Sequence, residues 1–585
     1  MTVRRALLWG LLAIGLVLFG LLIWFALSAR AAVDEMTAAR DSLVAARDAV
    51  GDSQPAQAKT FVTAASESAK AASIRVNGPL WDVAAAVPGL GQTPRAAQAI
   101  ATSLDQALTA LRPLTDQLDV LDPSALISDN GQIDIAALET AIPAMKQAQP
   151  GLDAAVATMA AAPTGGLMLP QVSSAATQFT DQLDSLQSSL STAVQFGEIA
   201  GPLLGADSEK RYFVGILNPN EARGTGGFLG NYAILSAKDG KISVDQVGSN
   251  TDLPNLDKLP PGLGKDFVKR YGDDPILIGN MNLSPHFPST AKIWLASWKK
   301  KTGEQLDGAI AADVVALGEV VRASGQQIPL PDGGSISGDQ LALFAIKGIY
   351  ENFPTAAQAA ERKTYQEAIT SSAASILTQA PNPEAMAEAL GQGLAEDRIV
   401  IWSADPKVEQ RLTEAGVGGS LTVEDGHNVQ FVALNGSGSK LDAFLQRSLN
   451  YEVGRCVDED SQVKSTVTID LTSDIPLGER PPEYMVSLAK EGPTGPVNVV
   501  LAQMHLPNGA EIDEVRLDGK SVGYSPFDER GRPSVVLPVT LPPRETQQLT
   551  FEFTEPADAG PGQVAIQPLG SGQATEVVEA PCRRG

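Results

Sequence analysis

The chain has 585 residues, of which 43% are hydrophobic and 19% are charged. That length exceeds what a single core supports, so two or more domains are expected. The 68 Asp and Glu residues outnumber the 44 Lys and Arg residues, for a formal net charge of −24, which argues against nucleic acid and anionic lipid surfaces as partners.

The N-terminus carries a long apolar segment. Ala6–Leu27 contains no charged residue, and Arg4 and Arg5 precede it. A helix of that length spans roughly 33 Å, close to the ~30 Å of a bilayer core, and the arginines favour a cytoplasmic N-terminus. We therefore expect residues 1–30 to form a cytoplasmic stub and a single-pass transmembrane anchor in the cell membrane, with the remaining chain outside the cytoplasm. A cleaved signal peptide is the alternative.

Residues 31–204 have helical periodicity. Leu104, Leu108 and Leu111 recur at intervals of three and four, and breakers such as Pro55 and Pro123 divide the segment into several helices. This pattern predicts an α-helical bundle or coiled-coil stalk. Packing of the stalk on itself and binding of a partner both fit the pattern.

Residues 205–455 predict a central α/β domain. Tyr212–Leu217 and Tyr232–Leu235 are strand-like, and Lys238–Lys241 has the composition of a hairpin turn. Asp307–Asp313 predicts a further strand that leads into the helix Val314–Ala323. That order favours a sheet covered by helices.

Residues 456–585 predict an immunoglobulin-like β-sandwich, because short alternating strands are separated by turn residues at sandwich-like spacing. Leu549, Phe551 and Phe553 would share one buried face. Cys456 and Cys582 bracket the segment and are expected to form a disulfide, which is worth about 4–5 kcal/mol in the chain-entropy model. Two unrelated free thiols are the alternative. The predicted fold class is thus multidomain, with a transmembrane helix, a helical stalk, a central α/β domain and a C-terminal sandwich.

Most catalytic signatures are missing from the sequence. It has three histidines, far apart, and no His-x-x-x-His, Cys-x-x-Cys or Gly-x-Ser-x-Gly pattern. Gly519-Lys-Ser521 imitates the end of a P-loop, but Glu514 occupies the position of the first glycine. Zinc, nucleophilic-serine and P-loop chemistries are therefore not expected.

The most specialised segment is Arg223-Gly-Thr-Gly-Gly-Phe-Leu-Gly230. In a functional interpretation, Arg223 binds a phosphate with its planar fork, and the backbone of Gly224, Thr225, Gly226 and Gly227 supplies further donors. In a structural interpretation, Arg223 bonds a carbonyl or a carboxylate, and the glycines permit a β-bulge against a packed helix.

Other charged residues of the central segment could complete such a site. Arg362 is a candidate catalytic cation, and Arg211 and Arg270 are candidate ligand-binding cations. Asp252 and Asp313 are candidates for holding Mg²⁺, which prefers carboxylate oxygens and retains waters. The ordinary alternative for each of them is a solvated surface residue or a helix cap.

Several strings resemble a bacterial membrane-anchored family known as domain of unknown function 4012. They are Leu217-Asn-Pro-Asn-Glu-Ala-Arg-Gly-Thr-Gly-Gly-Phe-Leu-Gly230, Pro79-Leu-Trp-Asp-Val-Ala-Ala-Ala-Val-Pro-Gly-Leu90 and Asn282-Leu-Ser-Pro-His-Phe-Pro288. Asp307-Gly-Ala-Ile-Ala and the segment from Lys440-Leu-Asp442 extend the resemblance over roughly residues 75–460. The resemblance implies an envelope protein associated with cell-surface polysaccharide production, without an established activity.

Residues 210–375 also resemble LytR-CpsA-Psr proteins, which move glycopolymers from polyprenyl-pyrophosphate carriers onto the cell wall. Arg223 and its strand are similar to that family's opening Arg-Ser-Asp-Thr strand pair, with Gly224-Thr-Gly226 in place of Ser-Asp-Thr. Glu361-Arg362 is similar to a helix that carries a pyrophosphate-binding arginine. This resemblance implies a phosphotransferase in which Arg223 and Arg362 neutralise pyrophosphate charge with the help of a metal.

We therefore predict a protein of cell-envelope polysaccharide assembly that binds or transfers a polyprenyl-pyrophosphate-linked glycopolymer. Its expected partners are the membrane, a lipid-linked glycan and other envelope proteins, and Mg²⁺ is the expected cofactor. The alternative is a non-catalytic scaffold whose stalk and sandwich recruit other envelope proteins. A hydrolase of soluble substrates is disfavoured, because no nucleophile–base set can be recognised.

Overall fold

The computed structural model describes residues 27–580 apart from 47, 50–53, 116–127, 129, 130, 164–167, 422–425, 455–461, 558–561 and 572. The chain forms two compact units. The helical unit comprises residues up to 201 without 129–132, and the C-terminal unit comprises 129–132 and 202–585.

The helical unit contains six described helices: 27–46 (α1), Pro55–Val76 (α2), Pro79–Ala85 (α3), Gln92–Thr115 (α4), Ile135–Ala160 (α5) and Pro170–Leu203 (α6). Proline at the first helical position starts α2 and α3, where its fixed φ suits the helix and no amide is lost. Small side chains let the helices approach closely. Gly151 of α5 lies so near α4 that an added Cβ would be 2.6 Å from the Cβ of Ala110.

The first layer of the C-terminal unit is a five-stranded sheet with the order β3-β2-β1-β4-β7. Its strands are Lys210–Arg223 (β1), Gly226–Lys238 (β2), Lys241–Ser249 (β3), Gly308–Asp313 (β4) and Ile399–Ser403 (β7), and the separate hairpin is Gln327–Pro329 (β5) and Ser335–Ser337 (β6). β1 pairs antiparallel with β2 and parallel with β4. A buried aromatic core that includes Phe213, Tyr232 and Trp294 packs against this sheet.

Nine helices of the C-terminal unit are described: Lys265–Tyr271 (α7), Phe287–Thr302 (α8), Val314–Ser324 (α9), Gly338–Leu343 (α10), Ile349–Asn352 (α11), Ala359–Gln379 (α12), Pro383–Ala395 (α13), Pro406–Glu414 (α14) and Glu483–Val486 (α15). A single turn of π-helix, Phe344–Gly348, joins α10 to α11, and we call it the π-turn. Such wide turns leave backbone carbonyls outside the regular helical ladder, where side chains can bond them.

The remaining strands form two six-stranded sheets with the orders β14-β13-β17-β10-β9-β19 and β15-β16-β12-β8-β18 plus β11. The strands are Asn428–Asn435 (β8), Leu445–Gly454 (β9), Gln462–Ser473 (β10), Lys490–Gly492 (β11), Gly495–His505 (β12), Glu511–Leu517 (β13), Lys520–Ser521 (β14), Ser525–Glu529 (β15), Arg532–Leu541 (β16), Thr546–Pro556 (β17), Gln563–Ile566 (β18) and Gln573–Ala580 (β19). Leu549, Phe551 and Phe553 are fully buried between the sheets, as their alternation predicts.

The predicted fold class requires correction on two points. Among the described helices, none has the length and apolar run that crossing a membrane requires; the predicted span Ala6–Leu27 lies outside the described residues except for Leu27. The immunoglobulin-like prediction is not confirmed either, because each large sheet ends in a parallel pair, β18 with β8 and β19 with β9, whereas that fold is built from antiparallel sheets. Cys456 and Cys582 also lie outside the described residues.

Glu409 on α14 supplies a pH-dependent contribution to stability. Its carboxylate accepts a hydrogen bond of 2.9 Å from the Ser403 amide at the end of β7, and burial raises the pKa of Glu409 to about 7. The folded state therefore holds this proton more tightly than the unfolded state, for which the pKa is near 4.5. The contribution is complete below about pH 4.5 and is lost as the pH rises to about 7.

We expect the free energy of unfolding of the wild type to fall relative to that of Glu409→Gln between pH 4.5 and 7, because the glutamine stays neutral throughout. Denaturant titrations of both proteins across this range would measure the difference. Parallel pH profiles would show that Glu409 titrates normally.

Candidate functional site

Arg223 ends β1 and is buried, with 6% of its surface exposed. Its Nε donates to the Gly279 carbonyl at 3.0 Å, its Nη1 donates to the Ala222 carbonyl at 2.9 Å, and its Nη2 pairs with Glu221 Oε1 at 2.6 Å. The guanidinium also lies 5.4 Å from the centroid of the Phe228 ring. All three guanidinium nitrogens of Arg223 are thus engaged within the protein.

The glycines that follow Arg223 are sites of close backbone packing. An added Cβ on Gly224 would lie 2.6 Å from the Pro285 nitrogen, and one on Gly227 would lie 2.5 Å from the Pro219 nitrogen. Gly226 has a φ of +108°, which disfavours residues with a side chain. Asn282 secures the same loop, because its Nδ2 donates to Thr225 Oγ1 at 3.0 Å and to the Gly227 carbonyl at 2.8 Å.

The residues before Arg223 hold the π-turn. Asn218 Nδ2 donates to the Ala345 carbonyl at 2.9 Å, and Asn220 Nδ2 donates to the Ile346 carbonyl at 3.3 Å. The β1–β2 register shifts between Asn218 and Ala222, so this stretch bulges out of the sheet. The motif therefore uses its amide side chains to satisfy carbonyls that the wide helical turn leaves available.

Asp442 connects the same motif to the sandwich strands. It is buried and accepts hydrogen bonds from the Ala222 amide at 2.8 Å, Asn435 Nδ2 at 2.6 Å and Asn498 Nδ2 at 2.9 Å. Burial raises the pKa of Asp442 despite these donors. One carboxyl thus joins β1 to β8 and β12.

Glu221 is shared by two cations. It pairs with Arg223, and Lys440 Nζ donates to its Oε2 at 2.7 Å. Although burial acts to raise the pKa of Glu221, Lys440 and Arg223 outweigh burial and lower it. Burial likewise acts to lower the pKa of Lys440, but Glu221 raises it above its ordinary value. Both partners therefore remain charged at neutral pH.

Lys440 stands at the centre of what we call the cation–aromatic cluster: Arg223, Phe228, Lys440, Tyr484 and Arg362. The Nζ of Lys440 lies 5.6 Å from the Phe228 ring centroid and 5.4 Å from that of Tyr484. Arg223 lies over Phe228, and the Cζ of Arg362 lies 3.8 Å from the Tyr484 centroid. Cations and rings thus alternate from Arg223 to Arg362, and the structure brings the two predicted catalytic arginines into one cluster.

Arg362, at the start of α12, is 3% exposed. Its Nη1 donates to the carbonyls of Phe353 and Thr355, each at 2.6 Å. Its Nη2 is buried and has no hydrogen-bond acceptor among the residues that the structure describes. Arg362 therefore has a guanidinium nitrogen without a described acceptor, whereas each guanidinium nitrogen of Arg223 has one.

The two other predicted cations lie in separate places. Arg211 of β1 bonds Asp245 of β3 at 2.8 Å and also pairs with Glu304. Arg270 on α7 donates to Gln503 Oε1 at 3.1 Å and lies 4.8 Å from the Phe527 ring centroid. Each is engaged in its own local contacts rather than in the cluster.

The two predicted Mg²⁺ ligands are engaged by protein partners. Asp252 accepts from the Ser249 amide at 3.0 Å in a capping box and lies 3.4 Å from Lys363 Nζ. Asp313 caps α9 by accepting from two amides and pairs with Arg398 at 2.5 Å. Within the described ranges, no group of three or more His, Cys, Asp and Glu side chains is arranged to hold a metal ion.

Sequence reasoning missed Lys440 and Tyr484 as members of the cluster and Glu221 as the carboxylate that pairs with its cations. Glu221 stands two residues before Arg223 in the most specialised string, and Lys440 opens a string that carried the family resemblance. Both signals were therefore visible. Tyr484 lies among Pro481, Pro482 and Glu483, with no pattern that indicates its contact with Arg362.

Part of the C-terminal unit matches a known protein family. Residues 207–350 match the family model described as a protein of unknown function (DUF4012). They include the π-turn and the segment Arg223–Gly230, which we call the glycine loop. No curated protein and no solved structure matches the chain, and the resemblance to LytR-CpsA-Psr proteins is not supported. The predicted resemblance to the first family is confirmed over residues 207–350, the part of the chain that matches the family's model.

Proposed function

We propose that this chain binds the phosphate group of a lipid-linked glycopolymer at the cation–aromatic cluster and serves cell-envelope polysaccharide assembly as a binding protein. The observation that carries the proposal is the charge balance of the cluster. Arg223 and Lys440 share the single carboxylate of Glu221. The partners of Arg362 among the described residues are two carbonyl oxygens and aromatic rings.

A buried cation is costly unless it is paired and hydrogen-bonded. The three cations exceed Glu221 by two charges, and Asp442 behind them bonds amides rather than a cation. A phosphate oxygen at the Arg362 and Lys440 end would add a charge-assisted acceptor where Arg362 Nη2 has none. Lys440, Tyr484 and Phe228 are partly exposed, so a ligand can reach the cluster beside these side chains.

Binding is better supported than transfer. Asp252 and Asp313 are each occupied by a cap and a basic side chain, and every guanidinium nitrogen of Arg223 already donates to a protein acceptor. The cluster consists of cations and aromatic rings, and its one amine, that of Lys440, stays protonated beside Glu221 and is therefore a poor nucleophile. We therefore assign no chemical step to it.

Replacing Lys440 with Gln should weaken binding of a short-chain polyprenyl pyrophosphate by about 10- to 100-fold, because a hydrogen bond to a charged group is worth roughly 1.5–3 kcal/mol. Calorimetry of the full chain, with and without Mg²⁺, would measure this change. Arg362→Lys should also weaken binding, since it removes the Nη2 donor.

The matched control is Lys347→Gln. Lys347 also lies over an aromatic ring, 4.1 Å from the Phe444 centroid, but it is outside the cluster. Binding should be unchanged in this variant. Absence of pyrophosphate binding by the folded wild type, or equal loss in both lysine variants, would overturn the proposed function.

A non-catalytic scaffold is the second candidate. This candidate is favoured because Arg223, Asn218 and Asn220 donate hydrogen bonds to carbonyls within the protein. Residues 218–223 would then serve to stabilise the fold of the C-terminal unit. On this alternative the wild type binds no pyrophosphate, and its partners are other envelope proteins. The same calorimetric experiment therefore separates the two candidates.

A further inference from the structure

Two residues of the glycine loop, Gly224 and Thr225, also line a cavity. What we call the polar cleft has a volume of about 390 Å³ and is lined by, among others, Thr225, Thr413, Ser420, Gln430, Gln563 and Ala565. This volume falls within the roughly 300–1,000 Å³ typical of ligand sites. Gln563 and Ala565 on β18 are exposed, so solvent reaches the cleft.

The lining of the cleft is unsuited to an anion. Arg532 is its one lining cation, and its Nε and Nη2 donate to the carbonyls of Leu506 at 3.0 Å and Asn428 at 2.8 Å. Asp397, which also lines the cleft, is exposed and acidic. Asp397 would repel a phosphate, and Arg532 already donates to protein carbonyls. The cleft therefore differs from the cation–aromatic cluster, where the cations are in excess.

The walls of the cleft are fixed by close packing. An added Cβ on Gly419 would lie 2.8 Å from the Cβ of Phe287, so Gly419 packs directly against the start of α8. Gln567 bonds the Arg223 carbonyl at 2.5 Å and both backbone groups of Ala433. A cavity with such walls is pre-organised, which reduces the entropy cost of binding.

We infer that the polar cleft binds a neutral carbohydrate segment. Its lining combines hydroxyl and amide side chains with apolar groups such as Val564 and Pro568, which suits the hydroxyls and C–H faces of a sugar. Asp397 adds a carboxylate that accepts hydrogen bonds from hydroxyl groups. This site is separate from the one in the proposed function and does not depend on it.

An extended peptide fits the cleft less well. It would have to pair with the strand that lines the cleft, but β18 has only four residues, Gln563–Ile566. So short an edge offers few rungs for an added strand. The aromatic side chain in the lining, Phe287, is fully buried and presents no ring face for a planar ligand.

The test is binding of the full chain to an array of neutral di- to hexasaccharides, followed by saturation-transfer NMR on the sugars that bind. Ala565→Trp places a large ring in the cleft and should weaken binding at least tenfold. Thr540→Trp is the matched control, because Thr540 is an exposed strand residue of the same sheet but outside the cleft. Its affinity should equal that of the wild type.

Absence of array binding by the folded wild type would overturn the inference, as would sugar binding that Ala565→Trp leaves intact. Preferential capture of extended peptides from a random heptapeptide library, blocked by Ala565→Trp, would replace the carbohydrate with a peptide. Lys440→Gln should leave sugar binding unchanged and Ala565→Trp should leave pyrophosphate binding unchanged, so failure at one site is distinguishable from failure at the other.

Discussion

Replacing Glu221 with Ala should lower the free energy of unfolding of the C-terminal unit by about 3–5 kcal/mol, the range for breaking a buried ion pair. The carboxylate is 6% exposed and neutralises Arg223 and Lys440 at once. Its loss would leave two cations unpaired in a protein environment that water enters poorly. Guanidinium denaturation followed by intrinsic fluorescence would measure the change.

The control for this prediction is Glu319→Ala. Glu319 also pairs with an arginine, Arg322, at 2.6 Å, but both side chains are at least 41% exposed on α9. Exposed pairs contribute roughly 0–1 kcal/mol, so this variant should be nearly as stable as the wild type. A loss below about 1 kcal/mol in Glu221→Ala would show that the cluster cations do not depend on Glu221 for their stability.

Local sequence patterns were sufficient to predict individual helices and strands, because the burial of one face determines their periodicity. The helical spacing of Leu104 and Leu108 corresponds to α4, and the alternation through Phe551 and Phe553 corresponds to β17, both of whose rings are buried. These patterns arise because one face of each element is buried, which the sequence records every two or every three to four residues.

Neighbours distant in sequence decided the role of the glycine loop. Both interpretations of Arg223 were compatible with its own string, but its Nε bonds Gly279, and Gly224 packs on Pro285. These contacts span more than 50 residues. The contact between Arg362 and Tyr484 spans still more. Nothing in either local string records such a partner, so the cluster could be identified only after the fold had placed its members together.

The sheet to which each strand belongs could not be predicted from local sequence patterns either. β8 and β9 lie within the segment predicted as the central domain, yet they pair with β12 and β10 of the two large sheets. A strand's alternation shows which of its faces is buried but not which strand is its neighbour. The parallel partners β18 and β19 come from the end of the chain, more than 100 residues later.

The pairing of β9 with β19 bears on the expected disulfide. The two strands run parallel, and their described register ends with Gly454 opposite Ala580. Cys456 and Cys582 each follow two residues later in the sequence. Both cysteines lie outside the described residues, so the disulfide stays a prediction from the sequence, with two separate thiols as its alternative.

If the predicted bond forms, Cys456→Ser should lower the free energy of unfolding by about 4–5 kcal/mol under oxidising conditions, because the bond would close a loop of roughly 125 residues and restrict the unfolded chain. Denaturant titrations with and without a reductant would test this. Reductant should destabilise the wild type but leave a Cys456→Ser, Cys582→Ser double variant unchanged, which separates the bond from any packing effect of serine. Titration of two reactive thiols in the native, unreduced protein would contradict the bond directly, and the parallel strand pair would then hold the end of the chain by hydrogen bonds and packing alone.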